Sequence, residues 1–296
     1  MNTINRVLIV GGTHGNELIG IYLIRKFEMK HHLIAKSSFE TVTLLANPRA
    51  YEIGKRYVDS DLNRCFRRED LANSSLLSYE AQRAKEIYQT FGSNCRHPTD
   101  FVLDLHTTTA SVGLTVILAS KHPLNLQLAS HLTKINPLVK VLYSPIKEKD
   151  NCYLDNISEC GCTIEVGPVA QNVLDAALFQ ATEVLVAAIL DYLETYNKGN
   201  YSQFEETLTF YQLVDKIDYP RNEQREIQAM IHPQLQGRDY EPLNLDDPLF
   251  ITFDGQVILY PGISTVYPVF INEAAYYEKG VALCLTERRQ VKLKTA

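Results

Sequence analysis

Residues 6–29, RVLIVGGTHGNELIGIYLIRKFEM, contain the first strand, turn and helix that the sequence predicts. The short β-branched run over residues 6–10 ends in two glycines, which favour a tight turn. Over residues 18–29, apolar residues recur close to the helical period. A strand, a glycine-rich turn and a helix in this order are typical of a sheet whose faces are covered by helices.

The same alternation of strands and helices continues to about residue 198. Its later strands are predicted at 41–46, 101–105, 114–118 and 162–166, and its later helices at 79–91 and about 173–196. From residue 201 onward, strand-like segments are separated by Asp-Gly, Pro-Gly and Asn-Glu turns. We therefore expect an α/β fold in which residues 1–199 form a mixed central sheet flanked by helices and residues 200–296 form a smaller β-rich domain.

Composition and charge narrow the class of protein. With 45% hydrophobic residues in 296, the chain can bury a core without disulfide bonds, and its six cysteines show no C-x-x-C pair, which favours a reducing compartment. The N-terminal apolar stretch is too short for a signal peptide, and no segment is expected to span a membrane. The net charge of -6 argues against nucleic acid. We expect a cytoplasmic protein with neither a membrane nor a nucleic-acid partner.

His14, Glu17 and His106 are the candidate metal ligands. His14 and Glu17 lie three residues apart in the turn after the first strand, so both face one side if the turn enters a helix. His106 follows the strand 101–105, and sites of open α/β sheets usually lie at the carboxyl ends of strands. Two imidazoles and a carboxylate suit a catalytic zinc ion with a position left for water. Asp104 is a candidate partner for an imidazole.

Each part of this metal motif also has an ordinary structural explanation. A single H-x-x-E is common by chance, and a lone histidine after a strand is more often a packing or capping residue. The glycines also suggest a nucleotide-binding loop, but their spacing fits neither G-x-G-x-x-G nor G-x-x-x-x-G-K-[ST]. The joint placement of the motif at two strand ends favours the metal site.

Arg56, Asn63 and Arg64 lie in one polar loop that also contains Asp59 and Asp61. An arginine fork binds carboxylates bidentately, so an arginine-rich loop beside a metal suits an anionic substrate or a developing oxyanion. The alternative is that the two aspartates simply pair with the arginines on the surface.

Glu165 stands in the otherwise apolar segment 162–168. A carboxylate at the end of a buried strand costs free energy unless it is paired or used, and burial raises its pKa toward the range of a general base. The alternative is a structural ion pair with one of the loop arginines. Because an apolar strand end needs no acid for its fold, we favour the general base.

Nine sequence blocks resemble, in order, the aspartoacylase and succinylglutamate desuccinylase family, which is related to the zinc carboxypeptidases. They are GGTHGNELIG at 11–20, NPRA at 47–50, RYVDSDLNRCF at 56–66, DLHTTT at 104–109, IEVGP at 164–168, DYPR at 218–221, IHP at 231–233, LDDPLF at 245–250 and TVYPVFINEAAYYEK at 265–279. Because the blocks extend over nearly the whole chain, they are more specific than any single motif.

The resemblance implies a role for each candidate residue. His14, Glu17 and His106 would bind one zinc ion per chain, and Glu165 would activate the attacking water and later protonate the leaving amine. Arg56 would polarise the acyl carbonyl and stabilise the oxyanion. Substrate contacts would come from Arg56, Asn63, Arg64, Glu165 and Tyr276.

The resemblance also implies a small-molecule N-acyl amino acid as substrate, with N-acyl-L-aspartate as the first candidate, and a homo-oligomer. Residues 200–296 would shape the substrate channel and exclude long peptides. The resemblance therefore argues against a carboxypeptidase. The nearest alternative is an aminoacylase for N-acyl aromatic or S-conjugated amino acids. A further alternative is a zinc-binding relative that has lost catalysis. All the presumed catalytic positions are filled, which argues against this alternative.

One stretch departs from the family pattern. Vertebrate relatives carry an arginine that helps to hold a substrate carboxylate just before the I-E-V-G-P strand, whereas residues 150–156 contain no arginine and Asp155 takes its place. An aspartate there would repel a dicarboxylic substrate unless a cation is nearby. Lys147 and Lys149 are the predicted compensating cations, and Tyr153 is the predicted counterpart of a family tyrosine.

Overall fold

The computed structural model of the chain describes residues 3–145, 151–199 and 206–293. The strands are β1 (Arg6–Gly11), β2 (Glu40–Leu45), β3 (Phe101–Thr107), β4 (Gly113–Leu118), β5 (Val139–Tyr143), β6 (Cys160–Gly167), β7 (Glu206–Ile217), β8 (Ala229–Ile231), β9 (Pro248–Thr252), β10 (Val257–Leu259), β11 (Tyr267–Val269) and β12 (Leu283–Leu293). The α-helices are α1 (Leu18–Met29), α2 (Pro48–Glu52), α3 (Arg68–Ala72), α4 (Tyr79–Phe91), α5 (Pro123–Ile135) and α6 (Ala176–Asn197).

Nine of these strands form one mixed sheet in the order β11-β12-β7-β5-β4-β6-β3-β1-β2. The pairs β2–β1, β1–β3, β3–β6, β4–β5 and β5–β7 are parallel, whereas β4–β6, β7–β12 and β11–β12 are antiparallel. The remaining three strands form a small antiparallel sheet in the order β10-β9-β8. The predicted fold class, a mixed central sheet flanked by helices and followed by a β-rich region, is confirmed.

Alternate residues of the central strands contact different layers. On β1, Val7 and Ile9 pack with α1, α5 and α6 in the largest core cluster, whereas Leu8 and Val10 pack with α4 in another. This period of two is what a strand covered on both faces requires. On β3, Val102 belongs to the α4 layer, so the even-numbered residues that follow it along the strand face the same side.

Helix α6 differs from its predicted bounds at one end. It begins at Ala176 rather than near residue 173, because the Asp175 carboxylate accepts a hydrogen bond from the Leu178 N–H and caps the first turn. By length and composition alone it is apolar enough to cross a membrane, a test that the core helices of other proteins also pass. Its apolar residues are explained by core packing, since it contacts α1, α5 and β6 and buries Thr182, Leu185, Val186, Ile189, Leu190, Tyr192 and Leu193.

Candidate metal centre and active site

His14, Glu17 and His106 converge at the carboxyl ends of β1 and β3. The His14 Nδ1 lies 2.7 Å from the Glu17 Oε1, and the His106 Nδ1 lies 3.1 Å from the His14 Nδ1 and 3.0 Å from the Glu17 Oε2. All three residues are buried, and their ligand atoms lie within 4.8 Å of one another. Two imidazole nitrogens and a carboxylate at such spacing can hold one divalent ion, which needs ligands at about 2.0–2.2 Å.

Both imidazoles are oriented by carboxylates on their far sides. The His106 Nε2 lies 2.8 Å from the Asp104 Oδ2, and the His14 Nε2 lies 2.9 Å from the Asp61 Oδ1. In the tautomer that carries its proton on Nε2, each imidazole donates to its carboxylate and turns the Nδ1 lone pair toward the shared ion position. Burial raises the pKa of Asp61, but its contacts with His14, Arg56 and Lys279 outweigh this and hold that pKa well below its ordinary value.

The turn between β1 and α1 brings His14 and Glu17 together by a route that differs from the predicted one. Glu17 precedes the first residue of α1, so the two side chains do not share a helix face. Instead, the Glu17 N–H donates to the His14 carbonyl at 3.2 Å and closes the turn. A Cβ at Gly15 would lie 2.2 Å from the Ala50 carbonyl carbon, so only glycine allows the turn to pack this closely against α2.

Arg56 lies beside the candidate metal ligands. Its Nη1 donates to the Glu17 Oε1 at 3.0 Å and its Nη2 to the Asp61 Oδ2 at 3.5 Å. Asp61 therefore pairs with a loop arginine, but this pair is largely buried beside the candidate metal ligands and does not lie on the surface as the alternative supposed. Nor does the alternative hold for Asp59, whose Oδ2 instead accepts a hydrogen bond from the Tyr79 N–H at the start of α4.

Asn63 and Arg64 are held by the segment that precedes β6. The Asn63 Oδ1 accepts a hydrogen bond from the Leu154 N–H at 2.8 Å, so its Nδ2 points away from that segment. The Arg64 guanidinium lies over the Tyr153 ring at 4.5 Å from its centroid, and its Nη1 donates to the Asn63 carbonyl. The predicted Tyr153 thus contacts the site through Arg64. Lys147 and Lys149 lie outside the described residues.

Glu165 on β6 pairs in register with His106 on β3, so both side chains lie on the same face of the sheet. Burial raises the pKa of Glu165 to about 8, and Glu17 and Glu273 add to this while His106 and Arg56 oppose it. Its Oε2 is buried and has no hydrogen-bond partner among the described residues. No ion pair between Glu165 and a loop arginine occurs in residues 3–145, 151–199 and 206–293, which leaves the structural alternative without support.

Glu273 is a site residue that the sequence analysis missed. Its Oε2 accepts hydrogen bonds from the Thr108 hydroxyl, the Thr109 N–H at 2.7 Å, the Thr109 hydroxyl at 2.9 Å and the Ala110 N–H at 3.2 Å. It thereby anchors the C-terminal segment that carries Tyr276 to the loop that follows His106. The sequence signal that could have identified Glu273 is an acidic residue in the segment 271–276, just after a short predicted strand. An acidic residue at a strand end was the signal used for Glu165.

Replacing Glu273 with alanine is expected to destabilise the fold by about 2–4 kcal/mol, because the Thr109 N–H and the buried Thr108 hydroxyl lose their acceptor, whereas the Ala110 N–H keeps the Thr108 hydroxyl. Urea unfolding measures the change. Glu278→Ala is the matched control, since Glu278 is exposed and its side chain accepts a hydrogen bond from the Tyr57 hydroxyl. Equal stability of the two variants would contradict the anchoring role.

A cavity of about 380 Å³ joins these groups. All eight predicted site residues line it, namely His14, Glu17, Arg56, Asn63, Arg64, His106, Glu165 and Tyr276. Asp155 and Lys216 line it as well. The structure therefore brings these eight residues together in one cavity.

Comparison with known proteins places this geometry in a family. Residues 3–193 match the succinylglutamate desuccinylase/aspartoacylase catalytic domain, and residues 206–288 match the AstE/AspA barrel-sandwich hybrid domain. The chain is 55% identical over 291 residues to a probable aspartoacylase of Nostoc sp. (strain PCC 7120), covering 98% of this chain and 99% of the relative. It is 41% identical over 292 residues to a human N-acyl-aromatic-L-amino acid amidohydrolase (carboxylate-forming), covering 96% and 91%.

Among solved structures, murine aminoacylase 3 matches with a TM-score of 0.94 and 37% sequence identity, covering 99% of this chain and 98% of the murine one. The likeness therefore extends over both the helix-flanked sheet and the C-terminal strands. On the family matches and these identities, the chain belongs to the succinylglutamate desuccinylase/aspartoacylase family.

Proposed function

We propose that the chain is a zinc-dependent deacylase that hydrolyses N-acyl-L-aspartate, such as N-acetylaspartate, to L-aspartate and a carboxylate. The observation that carries this proposal is the convergence of His14, Glu17 and His106 beside Glu165 in one cavity. Residues 1–199 form the catalytic domain in this proposal, and residues 200–296 shape the channel. Cytoplasmic location and a homo-oligomer remain predictions from the sequence.

Two histidine nitrogens and one carboxylate fit a zinc ion that keeps a position for water. Such an ion, when bound, supplies a Lewis acid and lowers the pKa of water toward about 7. The carboxylates of Asp104 and Asp61 orient the two imidazoles for it.

Glu165 acts as the general base in this proposal. Its position opposite His106 and its raised pKa allow it to take a proton from the attacking water and return that proton to the leaving amine. Arg56, which already contacts the ligand Glu17, donates to the acyl oxygen as negative charge develops there.

Two cations suit the two carboxylates of an N-acylaspartate. Asn63 and Arg64 line the cavity and bind the α-carboxylate in this proposal. Lys216 on β7 lines the same cavity, is exposed, and forms no ion pair with any described residue. It stands in for the arginine that residues 150–156 lack and faces the side-chain carboxylate.

N-acyl aromatic amino acids are the second candidate substrates. Ile117, Leu142, Leu213, Phe270 and Val281 give part of the cavity an apolar wall, and an aromatic side chain gains free energy from such a surface. The human relative at 41% identity is named for this activity. S-conjugated amino acids belong to the same alternative.

Zinc-loaded protein assayed against N-acetyl-L-aspartate, N-acetyl-L-glutamate, N-succinyl-L-glutamate and N-acetyl-L-tyrosine tests the proposal. We expect release of the free amino acid from N-acetyl-L-aspartate and loss of this activity after chelation of the metal. Hydrolysis of N-acetyl-L-tyrosine alone would favour the second candidate. Bound zinc without hydrolysis of any substrate would favour a non-catalytic relative.

A further inference from the structure

Glu80 is a buried carboxylate that is not among the residues lining the cavity. It is the second residue of α4, and its exposed fraction is 0%. Taking a charge out of water costs free energy unless hydrogen bonds or an ion pair compensate for the lost water. The partners of Glu80 therefore indicate what its carboxylate contributes to the protein.

Three successive backbone N–H groups of the polar loop donate to this carboxylate. The Val58 N–H donates to the Glu80 Oε1 at 2.6 Å, and the N–H groups of Asp59 and Ser60 donate to its Oε2 at 3.0 and 3.1 Å. The Asn47 Nδ2 also donates to the Oε1, at 3.1 Å. Four donors thus share the two oxygens, which compensates for the burial of the charge.

A second hydrogen bond joins the same two segments in the opposite direction. The Asp59 Oδ2 accepts a hydrogen bond from the Tyr79 N–H at 2.8 Å, and Tyr79 precedes Glu80 at the start of α4. Each segment therefore supplies a carboxylate to N–H groups of the other. We call residues 58–60 together with Tyr79 and Glu80 the loop anchor. Because the apolar face of α4 packs in the core, the loop anchor ties the polar loop to a fixed part of the fold.

The loop anchor stands between two loop residues that contact the candidate metal ligands. Arg56 comes two residues before it, and Asp61 directly follows it. On its other side, the Arg56 carbonyl accepts a hydrogen bond from the Gly15 N–H at 3.1 Å. The Arg56 backbone is thus held between the β1–α1 turn and the loop anchor. From this position its guanidinium reaches the Glu17 Oε1 at 3.0 Å.

We propose that Glu80 is a positioning residue, which fixes the loop backbone so that the Arg56 guanidinium stays beside Glu17, where negative charge develops on the acyl oxygen. The inference rests on the proposed deacylase function. Because Glu80 does not line the cavity, it touches no substrate there and acts through Arg56. A displacement of a positioned group by about 1 Å can cost about 10²-fold in rate, so a small shift of the loop lowers turnover while the fold is kept.

A double-mutant cycle of Glu80→Gln with Arg56→Ala tests the proposal, because a residue that acts through Arg56 loses its effect when Arg56 is gone. Glutamine keeps the shape of the side chain, but its amide NH2 points at two of the donors and cannot accept from them. On the N-acylated substrate that the wild-type protein hydrolyses, we expect kcat to fall about 10- to 100-fold with little change in KM. In the Arg56→Ala background, the same substitution should lower kcat by less than about threefold.

Asp59→Ala is the second variant, and either folded variant decides the question. Asp59 is exposed, so its replacement spares the core while it removes the other half of the loop anchor. We expect a smaller fall in kcat, about three- to tenfold, which is likewise lost in the Arg56→Ala background. Glu86→Gln is the matched control and should leave kcat unchanged, since Glu86 is an exposed carboxylate of the same helix that pairs with Arg83.

An equal fold-loss of kcat in both backgrounds would overturn the proposal, because a merely structural role acts whether or not Arg56 is present. A folded Glu80→Gln protein whose kcat stays within about twofold of the wild-type value would overturn it as well. Failure of the deacylase function gives a different result, since the zinc-loaded wild-type protein then hydrolyses no substrate of the panel. Amide hydrogen exchange over residues 56–61 decides in that case: Glu80→Gln should speed exchange in this segment, and equal exchange in the two proteins would refute the loop anchor.

Discussion

Glu165→Gln is expected to lower turnover by about 10³-fold while zinc and the fold are retained, because glutamine keeps the shape of the side chain and cannot take a proton. Steady-state kinetics on the N-acylated substrate that the wild-type protein hydrolyses measures the loss, and elemental analysis measures the zinc. Glu159→Gln serves as the control, since it removes an exposed carboxylate just before β6, the strand that carries Glu165. Near-normal turnover would remove Glu165 from the role of general base.

The same variant has a second expected effect, on stability in the metal-free protein. Burial raises the pKa of Glu165 from its ordinary 4.5 to about 8, so between these values the folded chain holds a proton that the unfolded chain has lost. The free energy of unfolding should therefore fall as the pH rises through this window. Glu165→Gln should lose that part of the dependence, which urea unfolding at several pH values in the presence of a chelator measures.

His106→Ala is expected to reduce bound zinc from about one ion per chain to near zero and to abolish hydrolysis, because a three-ligand site that loses one imidazole binds zinc far more weakly. Inductively coupled plasma mass spectrometry reads the stoichiometry directly. His97→Ala is the control, since His97 is an exposed histidine away from the cavity. Unchanged zinc content in the His106 variant would exclude this residue from the coordination shell.

A loss of zinc through unfolding must be separated from a loss of the ligand. Removal of the His106 imidazole also leaves the buried carboxylate of Asp104 without its 2.8 Å partner, which costs free energy whether or not a metal is present. Far-ultraviolet circular dichroism of both variants in a chelator shows whether the chain is folded. The prediction that His106 is a zinc ligand is supported if the His106→Ala variant is folded and binds little zinc.

The centre of the fold was predictable because its residues satisfy two requirements at once. Residues 7–10 are apolar on successive positions and three of the four are β-branched, as a strand buried on both faces requires. Helix α4 has the predicted bounds because Ser78 caps it, with its side chain accepting from the Ala81 N–H. Helix α5 and strand β5 were not predicted, although His122 and Pro123 form a recognisable helix start.

The convergence of the candidate metal ligands was predictable for a topological reason. His14 follows β1 and His106 lies near the carboxyl end of β3, and because these strands are adjacent and parallel, their carboxyl ends lie at one edge of the sheet. The position of Glu273 was not predictable in this way. Its hydrogen bonds join residues more than 160 positions apart in the chain, and no local pattern encodes such a contact.

The strand order has a consequence for any attempt to divide the protein. β7 and β12 pair over eleven positions and join the central sheet through β5, so the chain after residue 206 completes the same hydrogen-bonded surface. Truncation after residue 199 would leave β5 as an unprotected edge, which invites aggregation. A chimaera that exchanges the C-terminal region must therefore import both strands together, and its success depends on backbone register as much as on the chemistry of the channel.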